Sequence, residues 1–244
     1  MERFDELSPR SRARITGVVY LSYFVVAILG EVFLLRAGVS AITPTTEDAA
    51  TLARNVLAHE SFLQLGVALG LVSVACYVAV TTLFYLLLKP VGRSLALLAL
   101  AFGLVAMALT AFAAIFELAP MVALGGGSNG FSVQQQQALA LALLKVGDQV
   151  GPISLLFSGL FQLLIGYLIF RSGFLPRVFG VLVAAAGLGW LVYLAPPLAN
   201  QLMTYLEVLG FLGEVPLMLW LLVMGVNSQR WNERAASVAI RRAV

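Results

Sequence analysis

The sequence is nearly devoid of metal-binding and redox side chains: it has one cysteine, Cys76, and one histidine, His59, in 244 residues. A lone cysteine excludes an intramolecular disulfide. One imidazole and one thiol also leave no ligand set for a bis-histidine haem, an iron–sulfur cluster or a structural zinc, so no cofactor and no metal are expected. Charge is scarce as well. Only 11% of residues are charged, against roughly 25% in an ordinary soluble domain. Motifs that fix a reaction are missing: no His-Glu-x-x-His and no Gly-x-Ser-x-Gly occurs. The run Gly125-Gly126-Gly127-Ser128-Asn129-Gly130 reads as a turn, because no strand leads into it and no Gly-Lys-Ser/Thr follows.

What is abundant is apolar surface. Hydrophobic residues make up 61% of the chain, more than a soluble fold of this length can hide and what a bilayer accommodates. A helix needs about 20 mostly apolar residues to cross. Six stretches qualify: Ile15–Leu35, Phe62–Leu88, Ser94–Pro120, Pro152–Phe170, Val178–Leu198 and Tyr205–Val226. The expected domains are a basic N-terminus (1–14), a six-span domain (15–226) and a basic tail (227–244). A cleaved signal peptide ending at Val39-Ser40-Ala41 is the weaker reading of the first span, because Glu31 and Arg36 interrupt the run before that point.

The pI near 9.2 comes from short clusters and not from a basic face for nucleic acid, which is not an expected partner. Arg3, Arg10, Arg12 and Arg14 precede span one, and Lys89 and Arg93 join spans two and three. Arg171 and Arg177 join spans four and five, and Arg230, Arg234, Arg241 and Arg242 follow span six. A six-span path puts these twelve of the fifteen Lys and Arg on one side, with Arg36, Arg54 and Lys145 opposite. The positive-inside rule makes the richer side cytoplasmic, with both termini there.

Two connections on the other side carry structure. Thr45-Thr46-Glu47-Asp48 looks like a helix start, with hydroxyl caps and acidic first-turn residues. Ala49, Leu52, Ala53 and Val56 follow at helical spacing, giving a short amphipathic extracytoplasmic helix to about His59 that lies on the membrane or covers the bundle mouth. His59-Glu60 then closes that helix and opens span two. Ser132 with Gln135 resembles a capping box, and Pro152 is expected to kink or restart the helix that follows. The two basic turns, Lys89–Arg93 and Arg171–Arg177, echo each other faintly; simple hairpins or an internal repeat both account for that. Trp231 beside Arg230 reads as an interfacial anchor.

The run Gly166-Tyr167-Leu168-Ile169-Phe170-Arg171-Ser172-Gly173-Phe174-Leu175-Pro176-Arg177, with Gly180 after it, resembles the signature of the bacterial domain-of-unknown-function 4386 family. So do Leu88-Lys89-Pro90-Val91-Gly92-Arg93-Ser94-Leu95, Gly30-Glu31, and Gly213-Glu214 followed by Leu219-Trp220-Leu221-Leu222. The likeness covers residues 10–228, and Arg-Ser-Gly-x-Leu-Pro-Arg is its most specific segment. It implies a polytopic bacterial membrane protein, in the plasma membrane, and no activity.

Carboxylates within or beside the spans are the candidate site. At 1.5 Å per residue, Glu214 lies roughly 13 Å from the outer end of span six and Glu31 about 6 Å from that of span one. Glu117, Asp148 and Glu207 lie near the outer boundary, and Tyr20 shares a face with Glu31. Helical spacing puts Glu207, Gly210 and Glu214 on one face, Gly103, Thr110 and Glu117 on another, and Asp148, Gly151, Leu155, Ser158, Gln162 and Gly166 on a third. Such mixed small and polar stripes suit close helix packing. Glu31, Glu117, Asp148, Glu207 and Glu214 are therefore the expected ligand-binding set, lining an outward vestibule for a cationic solute or a proton. The competing reading pairs the boundary acids with Arg36, Arg54, His59 and Lys145 as structural ties. Two other functions stay open: a non-catalytic accessory or signalling subunit, whose small-residue stripes bind a membrane-protein partner or a second copy, and an intramembrane enzyme acting on a lipid or quinone.

Overall fold

A computed structural model describes residues 8–125 and 130–243. It is all-α among these residues. The helices are α1 (Pro9–Arg36), α2 (Ala49–Ala58), α3 (Glu60–Leu88), α4 (Arg93–Leu124), α5 (Val133–Gly147), α6 (Val150–Ser172), α7 (Arg177–Leu191), α8 (Pro196–Val223) and α9 (Ser228–Ala243), with a 3₁₀ turn at Val192–Leu194. Six segments are long and apolar enough to cross a membrane: Pro9–Arg36, Glu60–Leu88, Arg93–Leu124, Val133–Ser172, Arg177–Leu194 and Gln201–Val223. Their outward faces are apolar, as lipid requires; α1 alone exposes Val18, Val25, Ile28, Leu29 and Val32.

Boundaries follow local chemistry. Pro9 opens α1, where a missing amide hydrogen costs nothing, and Gly38 closes it at φ +72°, a left-handed conformation that side chains disfavour. The cap of α2 is the Asp48 carboxylate, which accepts from the Ala50 and Thr51 amides; the expected hydroxyls are not used. His59 ends α2 by donating its amide to Val56 O, and the Ser132–Gln135 capping box opens α5. The restart expected at Pro152 is present. The chain turns at Asp148 and Gln149, α6 restarts at Val150, and Pro152 lies in its first turn, where no amide partner is lost. Pro196-Pro197 likewise start α8, so the fifth span, expected to run to Leu198, ends earlier. Residues 126–129 of the glycine-rich turn lie outside the described residues.

The chain forms two compact units. One comprises residues 1–21, 76–106 and 155–244; the other comprises 22–75 and 107–154. In the first, close backbone approach sets the packing. A Cβ on Gly166 would fall 2.6 Å from Gly180 O, one on Gly159 2.7 Å from Gly187 O, and one on Gly213 2.6 Å from the Ala186 Cβ. The small-residue faces of α6, α7 and α8 are thus spent on one another. Trp231 is no lipid anchor either: it is buried, donates Nε1–H to Leu87 O at 2.9 Å and lies under the Arg12 guanidinium.

In the second unit, Leu52 and Val56 of α2 are fully buried in one apolar core with Leu34, Ala37, Val39, Leu63, Val67, Ala114 and Leu144. The short amphipathic helix therefore packs as a structural element and not as a loose cover, because its narrow stripe meets side chains from five other segments.

Candidate functional site

Glu214 lies in α8 two residues before Pro216, whose ring removes the amide that would bond Leu212 O. Its carboxylate is held from two other helices. The Tyr20 hydroxyl of α1 donates to Oε2 at 2.6 Å, and Nε2 of Gln162 in α6 donates to Oε1. Both partners are buried, Tyr20 at 3% and Gln162 at 2% exposure. Aromatic rings fix the phenol: Tyr77 and Phe84 each meet Tyr20 edge-on at 6.0 Å, and Phe161 meets Tyr77 at 6.1 Å. No cation faces the carboxylate among the described residues; its partners are a phenol and an amide. The carbonyl oxygen of the same amide, Gln162 Oε1, is buried with no hydrogen-bond partner. A buried acceptor without a donor is rare, since leaving one unmet costs about 1–3 kcal/mol.

The other expected site residues are occupied differently. Glu31 Oε1 accepts from the Ser40 hydroxyl at 2.6 Å and its Oε2 from the Ala41 amide at 3.1 Å, which ties down the segment after α1. Asp148, at the turn between α5 and α6, accepts from the Thr45 amide at 2.9 Å. Glu117 lies within charge range of Glu31 in the same unit. Glu207 lies beside Tyr193 in the first unit, on the α8 face it shares with Glu214. Three of the four bases offered as ion-pair partners have other contacts: Arg36 lies over the Phe62 ring at 5.6 Å, Arg54 donates to the Thr51 hydroxyl, and His59 Nδ1 contacts Asn55 O. Among the described residues, no three of His, Cys, Asp and Glu gather closely enough to hold a metal ion.

Tyr20 and Gln162 are the members of this site that face arithmetic within single helices did not assign to Glu214. Gln162 stood on its polar stripe, and a buried amide in an apolar span was the available signal; its partner on α8 was not readable from either helix alone.

Family comparison agrees with this architecture. Residues 15–225 match the family described as "Domain of unknown function (DUF4386)". The chain belongs to that family. An uncharacterized protein of Archaeoglobus fulgidus is 28% identical to this DUF4386 chain over 156 residues, which is 61% of this chain and 76% of the relative. No solved structure matches it. The chain is thus a multi-span membrane protein of a family to which no activity is attached, and its relatives include an archaeal one.

Proposed function

We propose that this protein binds a proton or a small monovalent cation at Glu214, as the centre of a small transport-type membrane protein. The observation that carries the reading is the unpartnered carbonyl oxygen of Gln162 beside a carboxylate that has no cationic neighbour. With Glu214 ionised, Gln162 donates through Nε2 and leaves Oε1 without a donor. With Glu214 protonated, a half-turn of the amide lets Oε1 accept the carboxyl hydrogen. A cation in the same place is served by two acceptors at once, the carboxylate and the carbonyl. Ionisable groups inside spans are costly and mark ion or proton paths more often than they mark packing. Pro216, inside the continuous α8, leaves the carbonyl of Leu212 without its helical amide partner, a second acceptor on the same helix. Glu31 and Asp148, which hold loop amides, are not part of this proposal.

The accessory-subunit reading loses much of its support, because Gly159 and Gly166 of α6, Gly180 and Gly187 of α7 and Gly213 of α8 are packed from within the chain. The proposed setting is the plasma membrane of a prokaryote, with the basic turns and both termini cytoplasmic; the twelve-to-three asymmetry of Lys and Arg supports it. Thr46 and Ser237 are both exposed. In a Cys76→Ser background, Thr46→Cys should label from outside with an impermeant thiol reagent and Ser237→Cys should not; the reverse pattern overturns the orientation.

The site itself is tested by thermal unfolding of the purified protein across pH 5 to 8 at low and high NaCl. Wild type should show a melting temperature that depends on pH or on sodium. Glu214→Gln should remove that dependence while unfolding within a few degrees of wild type. Dependence that survives intact in Glu214→Gln defeats the proposal.

A further inference from the structure

A second feature lies in the first unit, away from Glu214. The ends of α6 and α8 and the starts of α1, α7 and α9 enclose a cleft of about 530 Å³. Two arginines, Arg10 and Arg230, line it, and among the described residues no aspartate or glutamate does. Each guanidinium is anchored by one N–H: Arg10 Nε donates to Met224 O at 3.2 Å, and Arg230 Nη1 to Gly173 O at 3.0 Å. A guanidinium has five N–H groups, so each arginine keeps a fork of donors for something else. Both arginines are exposed, whereas the walls around them are apolar, with Phe174, Leu175 and Val226 buried and Trp220 beside them.

The backbone is built to hold this arrangement. Gly225 adopts φ +69°, and a Cβ there would fall 3.0 Å from Arg10 Cγ and 3.1 Å from Arg10 O, so the position keeps the arginine seated. Arg10, with Arg14 donating to Val223 O at 3.0 Å, covers the carbonyls at the end of α8. That arrangement offsets the negative end of the helix dipole, which otherwise repels an anion. From the other side, Ser228 and Arg230 open the 16-residue α9, presenting its positive end to the cleft.

We propose that this cleft binds the phosphate group of an organic phosphate, with the apolar remainder against Phe174, Leu175 and Trp220. Two forked guanidiniums, with no counter-carboxylate among the described residues, match the geometry and charge of a phosphate better than any neutral solute. Position favours an anionic phospholipid as the source. The cleft lies where the apolar segments ending at Ser172 and Val223 and starting at Pro9 and Arg177 stop, which is headgroup depth in a six-span protein. Basic pockets at that level recognise acidic lipid headgroups. The inference stands apart from the Glu214 proposal, since it uses none of the same residues.

The test is the melting temperature and lipid retention of the purified full chain in a neutral detergent, with phosphatidylglycerol, phosphatidylcholine or glycerol phosphate added. Phosphatidylglycerol should raise the melting temperature and remain bound in native mass spectra; phosphatidylcholine should do neither. A response to glycerol phosphate equal to that to phosphatidylglycerol identifies a soluble organic phosphate as the ligand. Arg10→Gln with Arg230→Gln should weaken binding roughly tenfold or more, as expected for loss of charge-assisted hydrogen bonds. Because that pair also loses two carbonyl contacts, Ser228→Asp is the second variant. It leaves both arginines in place and puts a carboxylate at a helix start, where it favours folding but repels an anion. Arg93→Gln, outside the cleft, should bind as wild type. Full binding by Ser228→Asp, or no response to either phosphate compound, overturns the assignment.

Discussion

The carboxylates of the two units serve different ends. In the unit of residues 22–75 and 107–154, acids hold chain that would otherwise be loose: Glu31 takes a hydroxyl and an amide after α1, Asp148 takes the Thr45 amide, and Asp48 caps α2. In the other unit, Glu214 holds no loop. It is itself held, by Tyr20 and Gln162 from helices distant in sequence, and an acceptor beside it goes unmet. An acid that satisfies backbone amides is explained by folding. An acid gripped by buried side chains, with no cation to neutralise it, calls for a ligand or a proton.

The largest effect that sharpens this contrast is expected at α2. Leu52 is fully buried in the core of its unit, so Leu52→Ala should cost about 2–5 kcal/mol and speed amide exchange across Ala49–Ala58. Unchanged exchange in that variant would show α2 to be a surface cover after all. Next comes Glu31→Ala, which removes the acceptor of the part-buried Ser40 hydroxyl and of the exposed Ala41 amide and should cost about 1–2 kcal/mol, since water reaches the amide. Its pH and sodium responses should match wild type. If Glu31→Ala abolishes those responses, the division between loop-holding and ligand-binding acids is wrong.

Tyr20→Phe is the milder probe of the other unit. It removes one donor to Glu214 and should lower stability by about 1 kcal/mol while shifting the midpoint of the pH response that Glu214→Gln eliminates. A midpoint unchanged from wild type would detach Tyr20 from the site. The smallest effect concerns Asp48. Its amide and hydroxyl bonds, led by the backbone bond from Thr51, hold the carboxyl below its ordinary value of 3.8. A depressed folded-state value means the cap contributes fully above pH 3.8 and is lost as pH falls through the lower folded value. Exchange at the start of α2 should therefore quicken only in strong acid, and in Asp48→Ala at every pH. Equal rates in the two proteins at pH 7 would show that the cap contributes nothing.

Much of the architecture was legible because it rests on composition and on nearest neighbours. The spans follow from apolar runs, and the Ser132 capping box and the end of α2 at His59 follow from residues within one turn of each other. Span bounds drifted at one proline: the fifth span was drawn through Pro196 to Leu198, yet Pro196 opens α8, where its missing amide is harmless, whereas the restart expected at Pro152 is present. Trp231 was misjudged for a different reason. An amphipathic residue beside an arginine suits a lipid interface, but here Leu87 O, 144 residues away, offers its indole a buried acceptor.

By itself, the sequence determined that this chain is a multi-span helical membrane protein with six helices long and apolar enough to cross, because a helix closes its backbone bonds locally in hydrocarbon, and such helices are written in consecutive residues. Which acid meets which partner was decided only by the tertiary structure. Helical periodicity gives each side chain a face, yet a face becomes a contact only when the rotations of three helices are fixed together. The glycine approaches of Gly159, Gly166 and Gly213 set those rotations for α6, α7 and α8. They bring Gln162 to Glu214 and leave its carbonyl oxygen waiting for a donor.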